Sequence, residues 1–137
     1  MNTVIKTSRL ADAFAFANEL HASQRRNGTS IPYVSHLMQV AGLVMEAGGD
    51  EELAIAALLH DAIEDAPGGD ADRVRGQIRR RFGRRVLQIV EGCSDTDVQP
   101  KPEWRPRKEA YLRHLRSAHA DVVLVSVADK LHTTRRI

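Results

Sequence analysis

Asp121-Val-Val-Leu-Val-Ser-Val-Ala-Asp129 is the stretch on which the fold class turns. Its β-branched side chains favour a buried strand, because they fit a pleated surface well. Everything around it reads as helix. Ser8 precedes Leu10, Ala13, Phe14, Ala17, Leu20 and His21, which recur at three- and four-residue steps, so Ser8 is expected to cap an amphipathic first helix. Leu37, Val40, Ala41 and Val44 continue the pattern as far as Gly48-Gly49. Asp50 is placed to cap a third helix carrying Leu53, Ala56, Ala57 and His60. After the loop Ala66-Pro-Gly-Gly-Asp70, Val74, Ile78 and Phe82 mark a fourth helix that breaks at Gly83 before Val86, Ile89 and Val90. Trp104, Tyr111, Leu112 and Leu115 mark a sixth. A lone strand among six helices would leave its backbone groups without partners, so residues 121–129 are predicted to form a buried helix. The expected fold is all-α, a bundle of about seven helices.

The chain has 137 residues, enough for one core and too few for two catalytic modules. Hydrophobic residues make up 42% and charged residues 28%, in both signs, which argues against disordered, collagenous and membrane classes. The longest run without Asp, Glu, Lys or Arg, from Asn27 to Met45, is punctuated by Ser, Thr, Pro, His and Gln and cannot span a bilayer. Lys6, Arg9, Asp12 and Glu19 occupy the place of a signal peptide's apolar segment, so a cytoplasmic location is expected. The single Cys93 agrees with a reducing compartment and excludes a cysteine-based zinc cage. Any metal must therefore be held by His and carboxylates. A net charge of +2 gives no general reason to expect nucleic acid. Residues 73–85 pack seven arginines into thirteen positions, but the one aromatic among them, Phe82, falls on the apolar helical period, and a solvated helix face is the expected reading.

Leu58-Leu-His-Asp-Ala-Ile-Glu-Asp65 places four polar side chains in a segment otherwise built for burial. On a helix, Glu64 would sit one turn beyond His60 and Asp65 one turn beyond Asp61, concentrating an imidazole and three carboxylates on one patch. Such acids repel one another unless a cation or arginines neutralise them. A divalent metal resolves the conflict, and mixed nitrogen and oxygen donors suit manganese, iron or zinc better than calcium. The spacing lacks the second His of the zinc-protease helix motif. His36 and Asp129 are further candidate ligands, each of which also admits a structural reading as a cap, a satisfied core residue or half of an ion pair. His21, His114, His119 and His132 stand in no such arrangement and are read as structural.

A His, an adjacent His-Asp pair and a distant Asp, present as His36, His60-Asp61 and Asp129, resemble the HD superfamily of metal-dependent phosphohydrolases. The intervals are 24 residues from His36 to His60 and 68 from Asp61 to Asp129. Within the superfamily the chain is most similar to the hydrolase domain of RelA/SpoT-type enzymes and their small stand-alone relatives. Five ordered segments carry the likeness: Gln24-Arg-Arg26, Pro32-Tyr-Val-Ser-His36, Ala57-Leu-Leu-His-Asp-Ala-Ile-Glu-Asp65, Phe82-Gly83 and Ala128-Asp-Lys-Leu-His132.

The resemblance implies one metal, usually Mn2+, on His36, His60, Asp61 and Asp129, and removal of the 3′-pyrophosphate from ppGpp or pppGpp. It assigns Glu64 and Asp65 to the attacking water, and Arg25, Arg26, Lys130 and Thr133 to the nucleotide. The residue chemistry agrees, since a metal with an open position acidifies a water and neutralises charge on the phosphoryl group. The implied partner is a guanosine polyphosphate or a related nucleotide, with neither DNA nor membrane. Three positions depart from the family pattern: Leu37 follows the first His in place of Pro, Asn27 stands for a basic residue, and Thr133 stands where the motif commonly ends in Asn. The chain also stops before the helices that usually complete the pocket, so residues 1–137 are read as a single HD-type domain lacking them. Apolar surface around Val123 and Val127 is then expected to be uncovered, which favours a homodimer or marginal stability. The alternatives are an HD hydrolase of other nucleotides and a non-catalytic, nucleotide-binding regulatory module.

Overall fold

A computed structural model describes residues 7–94, residue 109 and residues 120–135. The described residues form six α-helices: α1 (Thr7–Leu20), α2 (Tyr33–Glu46), α3 (Glu51–Leu58), α4 (Ala71–Phe82), α5 (Arg84–Cys93) and α6 (Ala120–Arg135). A short 3-10 turn, Pro67–Gly69, leads into α4. The helix expected around Tyr111 lies outside the described residues, as do His114 and His119.

α3 is the axis of the bundle and packs against α1, α2, α5 and α6. Its residues Leu53 to Leu58 are all buried, as expected for a helix that is apolar all round. Small side chains at Ala54, Ala56 and Ala57 let neighbours approach closely. Asp50 caps it as expected, accepting a hydrogen bond from the Leu53 N–H at 3.0 Å. α1 differs from expectation: the helical backbone has already begun at Thr7, so Ser8 lies inside the first turn and not at its cap. Val74, Ile78 and Phe82 of α4 and Val86, Ile89 and Val90 of α5 are buried, and Gly83 between them adopts φ +97°, a left-handed conformation that glycine takes without a Cβ penalty.

The valine-rich stretch is helical. Val122, Val125, Ser126, Ala128 and His132 are buried, whereas Val123, Val127 and Leu131, spaced at four-residue steps, are 37%, 56% and 43% exposed. That is a helical period, and it settles the ambiguity that propensity left. Arg85 ties α6 to the rest through hydrogen bonds to Asp50 at 2.8 Å, Glu52 at 3.1 Å and Asp121 at 3.1 Å. Arg73, Arg79, Arg80 and Arg81 of the basic segment are exposed, and the Arg81 guanidinium lies 4.6 Å from the Phe16 ring centroid. Among the described residues no helix is long and apolar enough to cross a membrane.

Candidate functional site

The polar motif is not the helical patch that its spacing predicts. α3 ends at Leu58, and residues 59–65 follow as overlapping turns. The cause is local: the His60 ring places Nδ1 2.7 Å from the Ala57 carbonyl, the acceptor that the Asp61 N–H would use if the α-helix continued. Leu59 and Ala62 tighten the chain with bonds to Ala56 and Leu59 carbonyls, before Asp65 N–H donates to the Asp61 carbonyl at 2.9 Å. The result divides the four side chains between two places, with Asp61 at the border. His60 turns into the core, where it is 3% exposed, while Glu64 and Asp65 reach a cleft.

His60 meets His36 of α2 and Asp129 of α6, and ligating atoms of these three residues lie within 4.8 Å of one another. His36 Nε2 is 2.8 Å from Asp129 Oδ1 and its Nδ1 is 2.6 Å from His132 Nδ1. A carboxylate only accepts, so His36 donates through Nε2, and in a neutral His36 ring Nδ1 then accepts from His132. His60 Nε2 lies 3.1 Å from Asp61 Oδ2 and 3.5 Å from Asp129 Oδ1. Neither contact is aligned as a hydrogen bond, which leaves this buried nitrogen without a hydrogen-bond partner among the described residues. Burial alone disfavours a charged imidazole at His60, yet the Asp61 and Asp129 carboxylates outweigh it and hold its pKa well above the usual value. Burial pushes both carboxyls up, but the attraction of His60 brings Asp61 down to about 2. The His36 and His60 contacts hold Asp129 far below the carboxylate range.

Two buried imidazoles, two ionised carboxylates and an unpartnered nitrogen aimed among them suit a divalent cation, which would replace the shared protons. His36, His60, Asp61 and Asp129 could hold it. The sequence reading missed His132, which stands behind His36 as an orienting partner. Its one signal is the three-residue step from Asp129, which puts both on the same helix face.

Asp61 also borders a cleft of about 470 Å³. Glu64 and Asp65 line it on one side, with Gln24, Arg26, Tyr33 and Thr133 around them. The α1–α2 loop is held over this cleft by backbone bonds from Arg26 N–H to the Ile31 carbonyl at 3.0 Å and from Tyr33 N–H to the Gln24 carbonyl at 2.9 Å. Gly28, at φ +72°, makes the reversal between them. The Tyr33 hydroxyl donates to Asp61, and the Arg26 guanidinium lies 5.9 Å from the Tyr33 ring centroid. Burial first, and then the Asp61 charge, raise the Tyr33 pKa, so the phenol stays a donor. Asp65 is raised from the usual carboxylate value by burial and by Asp61 and Glu64, against a hydrogen bond from Gln24. Tyr33 and Gln24 were not singled out as functional in the sequence, since neither type is diagnostic without its neighbours.

Two expected nucleotide contacts lie elsewhere. The exposed Arg25 donates to the carbonyls of Ala22 and Gln24, both at 3.1 Å, and does not line the cleft. The Lys130 side chain is 60% exposed with its Nζ 3.8 Å from Asp129 Oδ2, and it borders a separate groove with Val123, Val127 and Leu131.

Residues 13–137 match the family model described as HD domain. The chain belongs to the HD domain family. A probable guanosine-3′,5′-bis(diphosphate) 3′-pyrophosphohydrolase of Synechocystis is 35% identical over 133 residues, covering 91% of this chain and 16% of that protein. The chain thus spans about a sixth of that relative. The guanosine-3′,5′-bis(diphosphate) 3′-pyrophosphohydrolase MESH1 of Xenopus tropicalis is 35% identical over 92% of this chain and 68% of its own length. A solved structure of a metazoan SpoT ortholog, described as hydrolysing ppGpp with a role in starvation responses, superposes with a TM-score of 0.83. That pair is 26% identical, over 97% of this chain and 72% of the other. The HD domain family and the His/Asp cluster together make this a divalent-metal site.

Proposed function

We propose that this HD domain hydrolyses guanosine 3′,5′-bis(diphosphate) and its triphosphate analogue at the 3′ position, giving GDP or GTP and pyrophosphate, with Mn2+ as its metal. The observation that carries the reading is the acid pair Glu64 and Asp65 on a cleft that shares Asp61 with the buried histidine cluster. Relatives bearing that activity in their names match along nine tenths of the chain. A divalent cation on His36, His60, Asp61 and Asp129 would supply a Lewis acid that acidifies a water and offsets phosphoryl charge. The chain's own residues do the rest. Glu64 and Asp65 orient the water and take its proton as its oxygen bonds to the phosphorus on the 3′ oxygen. The 3′ O–P bond breaks, the ribose oxygen ends as a hydroxyl, and pyrophosphate leaves. Arg26, over Tyr33, is placed to bind a phosphate or stack on the base. Tyr33, bonded to Asp61, fixes that carboxylate where the two groups meet.

Metal-loaded protein incubated with ppGpp is expected to release pyrophosphate and GDP, and chelation to stop it. Intact ppGpp at high enzyme concentration overturns the reading. A preference for plain nucleoside monophosphates would make it an HD hydrolase of other nucleotides, and tight ppGpp binding without product would make it a regulatory module.

A further inference from the structure

His21, at the end of α1, is 3% exposed although no role in metal or nucleotide binding uses it. Its ring lies 5.1 Å from that of Tyr33. Its Nδ1 is 2.8 Å from Gln24 Oε1, and Gln24 Nε2 donates to Asp65 Oδ2 at 3.2 Å. Proton bookkeeping fixes every direction in this chain. Asp65 accepts, so the Gln24 amide must turn its NH2 toward it. Gln24 Oε1 then faces His21, which must donate through Nδ1. His21 Nε2 is buried and has no hydrogen-bond partner among the described residues, so Nδ1 makes the ring's one hydrogen bond there.

We propose that His21 and Gln24 form a two-step positioning relay that sets the Gln24 amide and through it orients the Asp65 carboxylate at the cleft. The proposal rests on the reading of Asp65 as one of the acids that handle the water. Asp65 needs such a device because two more carboxylates, Asp61 and Glu64 of its own segment, line the same cleft. From the α1–α2 loop, Arg26 and Tyr33 border the same cleft, and α6 adds only Thr133, which is uncharged. A flipped amide would point Oε1 at a carboxylate already crowded by two others. His21 does not line the cleft, and its hydrogen-bonded path to Asp65 runs through Gln24.

The test compares Gln24→Leu, His21→Phe and the double variant. Gln24→Leu is expected to lower kcat for ppGpp about tenfold with KM unchanged. His21→Phe keeps a ring against Tyr33 and should lower kcat by less, again with KM unchanged. The double variant should match Gln24→Leu alone, because the two groups act in series. Carboxylate 13C NMR of protein loaded with diamagnetic Zn2+, taken at one fixed pH, reads the surroundings of the Asp65 carboxylate directly, and its resonance should move in both single variants. This measurement separates the two ideas: a parent chain that leaves ppGpp intact defeats the hydrolase reading, while the Asp65 resonance still decides the relay. If Gln24→Leu does not fold by circular dichroism, His21→Phe carries the decision. An Asp65 resonance equal to the parent's in the folded variant, a pure KM effect, or additive losses in the double variant would overturn the relay.

Discussion

The buried cluster and the cleft beside it share Asp61 but are built on opposite principles. In the cluster, His36, His60 and His132 are shielded from water, and attraction between imidazoles and carboxylates overcomes the cost of burying them. In the cleft, half-buried acids face each other, and Asp65 is pushed toward protonation. The first arrangement is stable only with a positive charge at its centre, which is what a metal site needs. The second keeps carboxylates poised to exchange protons, which is what water activation needs. On the proposed function, metal retention belongs to one region and turnover to the other.

Breaking the cluster should have the largest effect. His60→Ala or Asp61→Ala is expected to abolish metal occupancy, measured by elemental analysis, and to lower ppGpp hydrolysis by roughly a thousandfold or more. Metal content equal to the parent's in the Asp61 variant would remove that residue from the ligand set and sharpen the border between the regions. Glu64→Gln should keep the metal and lower kcat by about a hundredfold or more, since it removes a proton acceptor without removing a ligand. Loss of metal in that variant would erase the distinction. Arg26→Ala belongs to the cleft alone and should raise KM about tenfold while leaving metal content and kcat nearly intact, as judged by steady-state kinetics. Gly92→Ala lies outside both regions. A Cβ there would meet Val122 Cγ2 at 2.5 Å, so either the Val122 side chain turns or α5 and α6 separate. Overpacking of this kind costs about 1–3 kcal/mol and should lower the Tm by several degrees in a thermal melt. Activity below the melt should fall little, and a large fall would mean that α6 transmits the shift to Asp129.

Part of the metal site is legible in the sequence, because the acids around His60-Asp61 in an apolar segment need a cation or arginines, and the family resemblance adds His36 and Asp129. Helix boundaries at Asp50, Gly83 and the glycine pair after α2 follow from capping and left-handed glycine conformations that are local properties. The helical state of residues 121–129 follows from the sequence only by elimination, and it is packing that makes it firm: Val122, Val125 and His132 face inward while Val123 and Val127 do not.

What tertiary structure alone decided begins at Leu58. The residue types predict a continuous helix, but the His60 ring takes a backbone acceptor and unwinds the segment, so one motif feeds two sites instead of one patch. The same holds for His132, Tyr33, Gln24 and His21, whose roles come from contacts across 28 to 96 residues of chain or from a loop fold with no local signature. Arg25 and Arg26 are identical in kind and adjacent, yet one closes on backbone carbonyls and the other borders the cleft. Residue type fixes what a side chain can do chemically, and capping fixes where helices start. Which groups meet depends on how the helices pack, since a contact between distant segments is a property of the folded chain as a whole.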